Sequence, residues 1–169
     1  IINDVLDMSA IESDKIKIGY SAFNLRELLT SISTIYYSQC KQKGVRFEMN
    51  TAEINHENLL GDGLRVNQVL LNLVSNAFKF TPAGGTITIT AKELSVRDGK
   101  VYDNFIVKDT GEGMTQEMLG RLFRPCEQED AATAQKHGGS GLGLSIAKNL
   151  IEMMSGSISF ISEEGVGTT

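Results

Sequence analysis

The chain has 169 residues, of which 41% are hydrophobic and 22% are charged, a composition typical of one globular domain with a real core. Its net charge of −5 argues against general binding of nucleic acids or anionic membranes, because both need a basic surface. The two cysteines, Cys40 and Cys126, are too few for a disulfide framework and favour a reducing, cytoplasmic compartment. No apolar run approaches the ~20 residues of a membrane span, and no signal peptide is visible.

The first twenty residues have the pattern of a helix end followed by a linker. Apolar residues recur at helical spacing through residues 1–11, and residues 13–21 form a polar break. The chain lacks an initiator Met and opens within the helical pattern, so we expect a fragment of a longer protein. We therefore divide it into residues 1–20, a helix remnant with its linker, and residues 21–169, one domain.

A helix and a strand are predicted at the start of this domain. Asn24 can cap a helix over residues 25–43, and Gly44 is expected to end it. Residues 45–50 then alternate between apolar and polar side chains, as a half-buried strand does.

A second helix is predicted in the middle of the chain. Residues 58–61 form a short apolar run, which suits an edge strand, and Asp62 directly after it can cap a helix. We expect this helix to end before Pro82, because the residue preceding a proline is disfavoured in the helical conformation.

The remainder of the chain is dominated by strand patterns, with two further helices. The predicted elements are a strand over 86–94, a hairpin turn over 97–100, a strand over 102–108, a short helix near 115–122, a helix after residue 143 through about 154, and a strand over 157–161. About five strands, largely joined as hairpins, and three main helices predict an α/β fold. We expect a two-layer α/β sandwich whose mixed, mostly antiparallel sheet is covered on one face by the three helices.

A narrow polar stripe marks the predicted middle helix. At roughly 100° per residue, five polar side chains fall within an arc of about 80°, whereas most other positions are apolar. The stripe consists of Arg65, Gln68, Asn72, Asn76 and Lys79. A solvated face is the simplest interpretation, but Asn is a poor helix former and an unusual choice for one. Two amide oxygens followed by a cation suit a metal–phosphate group, and Mg²⁺ prefers oxygen ligands.

An acidic residue followed by glycines ends the predicted strand over 102–108. Asp109 has the parity of the buried face, where a carboxylate needs hydrogen-bond donors. Gly111 and Gly113 would let the backbone approach a flat ligand, and Asp109 would accept a hydrogen bond from the amino group of that ligand. A turn-forming Asp is the plain alternative. An aspartic-protease triplet is the other, but that chemistry needs a second carboxylate sharing the proton.

A glycine-rich segment over residues 138–144 opens the last predicted helix. Free amides at a helix N-terminus bind anions, because they are unpaired and lie at the positive end of the helix dipole. The spacing does not match the Rossmann G-x-G-x-x-G, no apolar strand precedes it, and no Gly-Lys-Ser/Thr of a Walker loop follows. The phosphates would therefore be bound by a different architecture.

The segment over residues 121–136 is long and weakly patterned, which is typical of an active-site lid. Phe123 would anchor it in the core, while Arg124, Lys136 and His137 could reach phosphates. A surface loop without function is the alternative interpretation.

These motifs together resemble the conserved boxes of sensor histidine kinases. They match, in order, the N box (residues 72–77 with Lys79 and Phe80), the G1 box (Asp109, Gly111 and Gly113), the F box (Leu122 and Phe123), the G2 box (Gly139, Gly141, Leu142, Gly143 and Leu144) and the G3 box (Gly165, Gly167 and Thr168). The opening residues 1–13 resemble the end of the second dimerisation helix of such kinases. The resemblance covers the chain from about residue 62 to its end.

The resemblance implies the Bergerat-type α/β sandwich shared with DNA gyrase and MutL, and ATP and Mg²⁺ as cofactors. It places Asn76 on Mg²⁺ with Asn72 in support, Lys79 near the phosphates, Phe80 on the purine and Asp109 on the adenine amino group. Thr168 would assist through water, and the amides of residues 139–143 would face the triphosphate. The full implied ATP-binding set is Asn72, Asn76, Lys79, Phe80, Asp109, Gly111, Gly113, Met114, Phe123, Arg124, Gly139, Ser140, Gly141, Leu142, Gly143, Leu144 and Thr168.

The resemblance also implies partners and a location. The domain would act on a histidine of its own dimerisation helices, in a homodimeric parent, and pass the phosphoryl group to a response regulator receiver domain. No nucleic acid and no membrane contact by this fragment are expected. The domain would be cytoplasmic, and membrane anchoring of the parent stays open.

Three features of the sequence bear on the mechanism that the resemblance implies. Hydrolysing relatives have Glu at the position of Asn72, and an amide cannot be a general base, so the site suits phosphoryl transfer by positioning and charge neutralisation. The acceptor motif His-Glu-x-x-Thr-Pro is absent here, since His56-Glu57 lacks its remainder. Cys126 stands where the family often has an aromatic residue. A stand-alone ATPase or serine kinase of this fold, and a non-catalytic nucleotide sensor, are the alternatives.

Overall fold

The structure is a computed structural model and describes residues 9, 17–122 and 142–169. In chain order its elements are β1 (Ser21–Asn24), α1 (Leu25–Lys43), β2 (Arg46–Glu53), β3 (Asn58–Gly61), α2 (Gly63–Phe80), β4 (Thr86–Arg97), β5 (Lys100–Asp109), α3 (Gln116–Arg121), α4 (Gly143–Met153), β6 (Ser162–Glu163) and β7 (Gly167–Thr168). No helix among these described residues is long and apolar enough to cross a membrane.

Five strands form the main sheet in the order β2-β4-β5-β7-β6. The pair β2–β4 is parallel, and the other neighbouring pairs are antiparallel. The inward side chains of β4, such as Ile87 and Ile89, are fully buried with apolar residues of α1 and α2. The predicted fold, a mixed and mostly antiparallel sheet under a helical layer, is confirmed.

Local capping explains where α1 begins and ends. The side chain of Asn24 accepts a hydrogen bond from the amide of Glu27 at 2.9 Å, which satisfies one free amide of the first turn. Gly44 has φ of 74°, the left-handed conformation in which glycine ends helices without strain. The predicted helix bounds are therefore confirmed.

The second long helix, α2, is fixed in the same way at its start. Asp62 accepts a hydrogen bond from the amide of Arg65 at 3.0 Å. At the other end, the hydroxyl of Thr81 donates to the carbonyl oxygen of Ala77, and the helix ends before Pro82 as predicted. The two long helices lie against the sheet around one main core.

A smaller core attaches α4 to α2. Val69 of α2 is buried against the apolar face of α4, which is formed by Ile146, Ala147 and Leu150. This packing brings the first turn of α4 beside the polar stripe of α2. Burial of these side chains therefore determines the position of a segment that the sequence analysis assigns to phosphate binding.

The predicted strand over residues 157–161 is wrong. Residues 157–161 are not assigned to a strand, and the final strands are the two-residue β6 and β7. Ser162 pairs with Thr168, and Glu163 pairs with Gly167, around a tight turn. Ile161 exchanges two backbone hydrogen bonds with Thr169, but residues 157–161 are not part of either described sheet.

Other differences concern the edges of the sheets. β2 runs to Glu53 rather than to residue 50, and β4 and β5 extend up to the turn at Asp98 and Gly99, so the predicted hairpin is confirmed and longer. The short strand β3 pairs with β1, which the sequence analysis did not predict, in a separate two-stranded sheet. A pairing between distant segments has no local sequence signal.

A half-buried acidic pair joins β4 and β5 at the end of the sheet away from Asp109. Glu93 lies opposite Asp103 in the strand register, and the imidazole Nδ1 of His56 is 3.0 Å from a carboxylate oxygen of Glu93. Oδ1 of Asp103 is buried without a hydrogen-bond partner in the described part of the chain. Burial, and next the charge of Glu93, raise the pKa of Asp103 from 3.8 to about 6, while His56 opposes the shift.

We predict that Asp103→Asn stabilises the protein at high pH. Between pH 3.8 and about 6 the folded state holds a proton that the unfolded chain has released, so folding stability falls as the pH rises through that window. The variant has no such charge. Its free energy of unfolding should exceed that of the wild type by ~1–3 kcal/mol above this window and by less below it.

Urea unfolding at a series of pH values measures this difference. Asp98→Asn, in the exposed turn of the same hairpin, is the matched control and should give a difference that does not change across the window. A pH-independent difference for Asp103→Asn would show that burial of its charge is not destabilising.

Candidate functional site

The predicted site residues that the structure describes lie on four neighbouring segments. These are the C-terminal half of α2, the loop after β5, the first turn of α4 and the strand β7. Asn72, Asn76, Lys79, Phe80, Asp109, Gly111, Gly113, Met114, Leu142, Gly143, Leu144 and Thr168 are described. Phe123, Arg124, Gly139, Ser140 and Gly141 lie outside the described residues, together with the lid assigned to residues 121–136 beyond Leu122.

The polar stripe of α2 is half-buried rather than solvated. Gln68, Asn72 and Asn76 are of intermediate exposure, whereas Lys79 is exposed. Amide side chains that are partly removed from water need partners, because an unsatisfied polar group costs free energy. A plain solvent-facing stripe does not account for this arrangement.

Asn72 joins α2 to the first turn of α4. Its Nδ2 donates a hydrogen bond to the carbonyl oxygen of Gly143 at 3.0 Å, across 71 residues of chain. A β-carbon at Gly143 would lie 3.6 Å from Cγ of Asn72, so the two segments are in van der Waals contact. The N-cap of α4 is Leu142, which provides no side-chain hydrogen bond to the first amides. The start of α4, the positive end of its dipole, therefore lies beside the asparagine stripe without a side-chain cap.

Asp109 is buried at the end of β5, with 9% of its surface exposed. The amide of Gly111 donates to its Oδ1 at 2.8 Å. Burial raises the pKa of Asp109 above its usual range, and backbone hydrogen bonds from Gly111 and Thr168 oppose the increase. A carboxylate held in this way keeps acceptor capacity for a further donor, which suits recognition of a ligand amino group.

The glycines after Asp109 are required by contacts within the protein. A β-carbon at Gly111 would lie 2.5 Å from the carbonyl oxygen of Phe80, and one at Gly113, which has φ of 68°, would lie 1.9 Å from that of Glu163. Each glycine therefore lets the loop approach another backbone segment. Approach of a ligand was the predicted reason for both glycines, and their contacts with neighbouring backbone were not predicted.

A set of hydroxyl groups links this loop to the C-terminal hairpin. The amide of Met114 donates to the hydroxyl oxygen of Ser162 at 2.9 Å, and that oxygen is 2.8 Å from the hydroxyl oxygen of Thr168. Thr168 is also the strand partner of Asp109. The hairpin thereby closes one side of the site. Ser162 was not predicted, because it lies outside every recognised motif.

Two lysines act at the C-terminal end of α2. Nζ of Lys79 lies 4.8 Å from the centre of the Phe80 ring, a cation–π distance. Nζ of Lys43 donates to the carbonyl oxygens of Phe78 and Lys79, so the last residue of α1 caps the last turn of α2. Lys43 was not predicted, since only the folded structure brings it to these carbonyls.

Comparison with known proteins identifies the family of this chain. The sequence model of the histidine kinase-, DNA gyrase B-, and HSP90-like ATPases matches residues 61–169. The chain belongs to this family, and the resemblance to histidine kinases is confirmed.

Two curated relatives match the whole chain. The autoinducer 2 sensor kinase/phosphatase LuxQ of Vibrio vulnificus is 40% identical over 169 residues, which are 100% of this chain and 20% of LuxQ. The signal transduction histidine-protein kinase BarA of Escherichia coli is 38% identical over 169 residues, which are 100% of this chain and 18% of BarA. The chain therefore spans about a fifth of the length of these relatives.

Two solved structures show the same fold. Full-length ShkA, determined in complex with AMPPNP, superimposes with a TM-score of 0.79 at 30% identity, covering 99% of this chain and 33% of ShkA. The nucleotide-free catalytic domain of the histidine kinase ThkA gives a TM-score of 0.68 at 27% identity, covering 88% of this chain and 90% of that domain.

We predict that Asn72→Asp loosens the start of α4. The carboxylate cannot donate to the carbonyl of Gly143, so the exchange should lower the free energy of unfolding by ~1–3 kcal/mol. Urea unfolding without nucleotide measures the loss, and amide hydrogen exchange in the first turn of α4 locates it.

Asn76→Asp is the matched control for this prediction. It makes the same chemical change one turn later on the same stripe, where the structure records no hydrogen bond to the side chain within the described residues. Equal destabilisation by the two variants would contradict a specific role of the bond between Asn72 and Gly143.

Proposed function

We propose that this chain is the ATP-binding catalytic domain of a sensor histidine kinase, which holds Mg·ATP and gives its γ-phosphoryl group to a histidine of another helical segment. One observation supports this most directly. A buried carboxylate, Asp109, ends β5, and the loop after it packs at Gly111 against the end of α2. The same helix bears Asn72, which contacts the start of α4. An acceptor for a base and groups for a triphosphate thus flank one helix.

Adenine is the base that this arrangement favours. The carboxylate of Asp109 accepts the adenine amino group, and the Phe80 ring packs against the purine plane. Thr168, as the strand partner of Asp109, assists through a bridging water. Guanine presents a carbonyl oxygen where adenine has its amino group, so two acceptors would face each other.

The triphosphate lies along the stripe toward α4. Lys79 contributes positive charge, and Arg124 adds a second cation. We assign phosphate binding also to the amides of residues 139–143 and to Ser140, Leu142 and Leu144, as the family resemblance implies. This assignment is supported by the contact between Asn72 and Gly143 and by the lack of a side-chain cap at Leu142, the N-cap of α4.

The donor set fits magnesium that arrives with the nucleotide. In the described part of the chain no group of three or more His, Cys, Asp or Glu side chains could hold a metal ion. Mg²⁺ keeps waters and phosphate oxygens and needs few protein ligands. Asn76 would bind it through its amide oxygen, with Asn72 in support. The ion would neutralise charge on the phosphates.

Phosphoryl transfer is favoured over hydrolysis. A general base has to accept a proton, and the amide of Asn72 cannot do so and is bound to Gly143. The domain therefore orients ATP and protects its γ-phosphate until an acceptor arrives. A stand-alone ATPase or serine kinase of this fold would require another base.

The partners follow from the same proposal. The acceptor lies on dimerisation helices, for which residues 1–20 would be the remnant and linker, with residues 21–169 as the catalytic domain. A response regulator receiver domain would take the phosphoryl group in turn, and ThkA was crystallised in complex with the response regulator TrrA. The domain would be cytoplasmic.

The kinase proposal is tested by supplying histidine-bearing dimerisation helices of a relative in trans with radiolabelled ATP. Acid-labile, base-stable label on the helices is expected, with slow release of phosphate from the domain alone. Brisk phosphate release would identify an ATPase, and nucleotide binding without transfer to any helix would identify a nucleotide sensor.

We predict that Asp109→Asn weakens ATP binding by ~1.5–3 kcal/mol, the value of a hydrogen bond to a charged group, which is roughly 10- to 150-fold in Kd. The variant keeps an acceptor for Gly111 but points an amide donor at the adenine amino group. Calorimetric titration measures it, with Asp103→Asn, at the other end of the same strand, as the unaffected control. If GTP competes as well as ATP for the wild type, the role of Asp109 is wrong.

We further predict that Asn76→Ala abolishes the magnesium dependence of ATP binding. Titration with and without Mg²⁺ should give a large difference in Kd for the wild type and almost none for the variant, because the amide ligand is gone. If Asn76→Ala keeps the wild-type magnesium dependence, Asn76 is not a ligand of the metal ion.

A further inference from the structure

The carboxylate of Asp62 has two partners that belong to different parts of the chain. Its Oδ1 accepts a hydrogen bond from the amide of Arg65 at 3.0 Å, which caps the start of α2. Its Oδ2 accepts the amide of Gly19 at 2.7 Å, across 43 residues. One side chain therefore binds the helix that bears the asparagine stripe and the segment through which the chain enters the domain.

Two further contacts reinforce this junction. The residues after Gly19 form β1, whose Ser21 pairs with Gly61 directly before Asp62. The Phe23 ring lies on the first residue of α2, since a β-carbon at Gly63 would come within 2.8 Å of Cγ of Phe23. The entering chain, the two-stranded sheet and the start of α2 are thus in direct contact.

The helix connects this junction to the nucleotide site. Asn72 lies ten residues after Asp62, about 15 Å along the axis at the usual helical rise. Between them Val69 and Leu70 are buried, so this part of α2 is packed on both cores. A helix packed in this way moves as a rigid unit, so a displacement at its start also displaces the residues near its end.

We propose that Asp62 is a positioning residue that couples the entering segment to nucleotide binding through α2. The inference rests on the proposed function, because it assumes a nucleotide at Asn72 and Asn76. Nucleotide bound to α2 favours the closed Asp62–Gly19 hydrogen bond, and by thermodynamic linkage the closed bond favours the nucleotide by the same factor.

Asp62→Asn separates the two roles of the side chain. Asn is as good an N-cap as Asp, so its amide oxygen keeps the bond to Arg65. Its amide nitrogen replaces Oδ2 and cannot accept from Gly19, because both groups are donors. Gly19→Pro removes the same bond from the other side by deleting the N–H. Tyr20→Ala, which changes an exposed neighbouring side chain and leaves the N–H of Gly19 in place, is the matched control, because a β-carbon at Gly19 itself would lie 3.2 Å from Oδ2 of Asp62.

The experiment measures amide hydrogen exchange at Gly19 and AMPPNP affinity in the 169-residue chain. For the wild type we expect saturating Mg·AMPPNP to slow exchange at Gly19 about fivefold or more, within the usual range of allosteric coupling. Asp62→Asn and Gly19→Pro should each lose affinity by that same factor. Combining them should cause no further loss, because both act through one bond.

The outcomes distinguish the coupling from the proposed function. One contrary result is that AMPPNP binds the wild type without slowing exchange at Gly19, and another is that Asp62→Asn binds AMPPNP as tightly as the wild type does. Either result would contradict the coupling and would leave the proposed nucleotide site unaffected. An affinity loss that also appears in Tyr20→Ala would indicate a structural effect only and would overturn the coupling. If AMPPNP does not bind the wild type, the proposed function itself fails.

Discussion

The hydrogen bond from Asn72 to the carbonyl of Gly143 is the contact on which the candidate site depends. It connects two helices that are far apart in the chain, and burial of Val69 against Ile146 and Leu150 brings them close enough to form it. Burial of the apolar side chains supplies most of the free energy that holds α4 on α2, whereas the hydrogen bond from Asn72 determines how the start of α4 is oriented. The start of α4, whose N-cap Leu142 provides no side-chain hydrogen bond, is thereby held beside the stripe of α2.

Asp109 illustrates the opposite use of burial. Removal from water disfavours its charge, and only backbone donors from Gly111 and Thr168 compensate within the described structure. A carboxylate that is partly compensated in this way gains more from a ligand donor than an exposed one would. The close approach of Gly111 and Gly113 to neighbouring backbone restricts the loop after the carboxylate, so the proposed base recognition would need little rearrangement of this loop.

Features with local causes could be predicted from the sequence. The caps at Asn24, Gly44 and Asp62 and the hairpin turn at Asp98 are determined by a few neighbouring residues, and all lie where they were expected. The buried side of β5, and hence the burial of Asp109, followed from the alternation of side chains along a strand.

Features that depend on distant contacts could not be predicted. The pairing of β1 with β3 and the capping of α2 by Lys43 each join segments with no pattern in common. The burial of Oδ1 of Asp103 also arises only when β5 pairs with β4. Ser162 likewise acquires its contacts only when the final hairpin folds onto the loop after β5. The family motifs identify residue types, whereas the tertiary structure determines which of them meet.

A crystal structure of the chain with Mg²⁺ and AMPPNP tests the central claim most directly. The account predicts the adenine amino group within hydrogen-bond distance of the Asp109 carboxylate, and Mg²⁺ bound to the phosphates and the amide oxygen of Asn76. Nucleotide bound on another face, or Asn76 turned to bulk solvent with the metal held elsewhere, would contradict it.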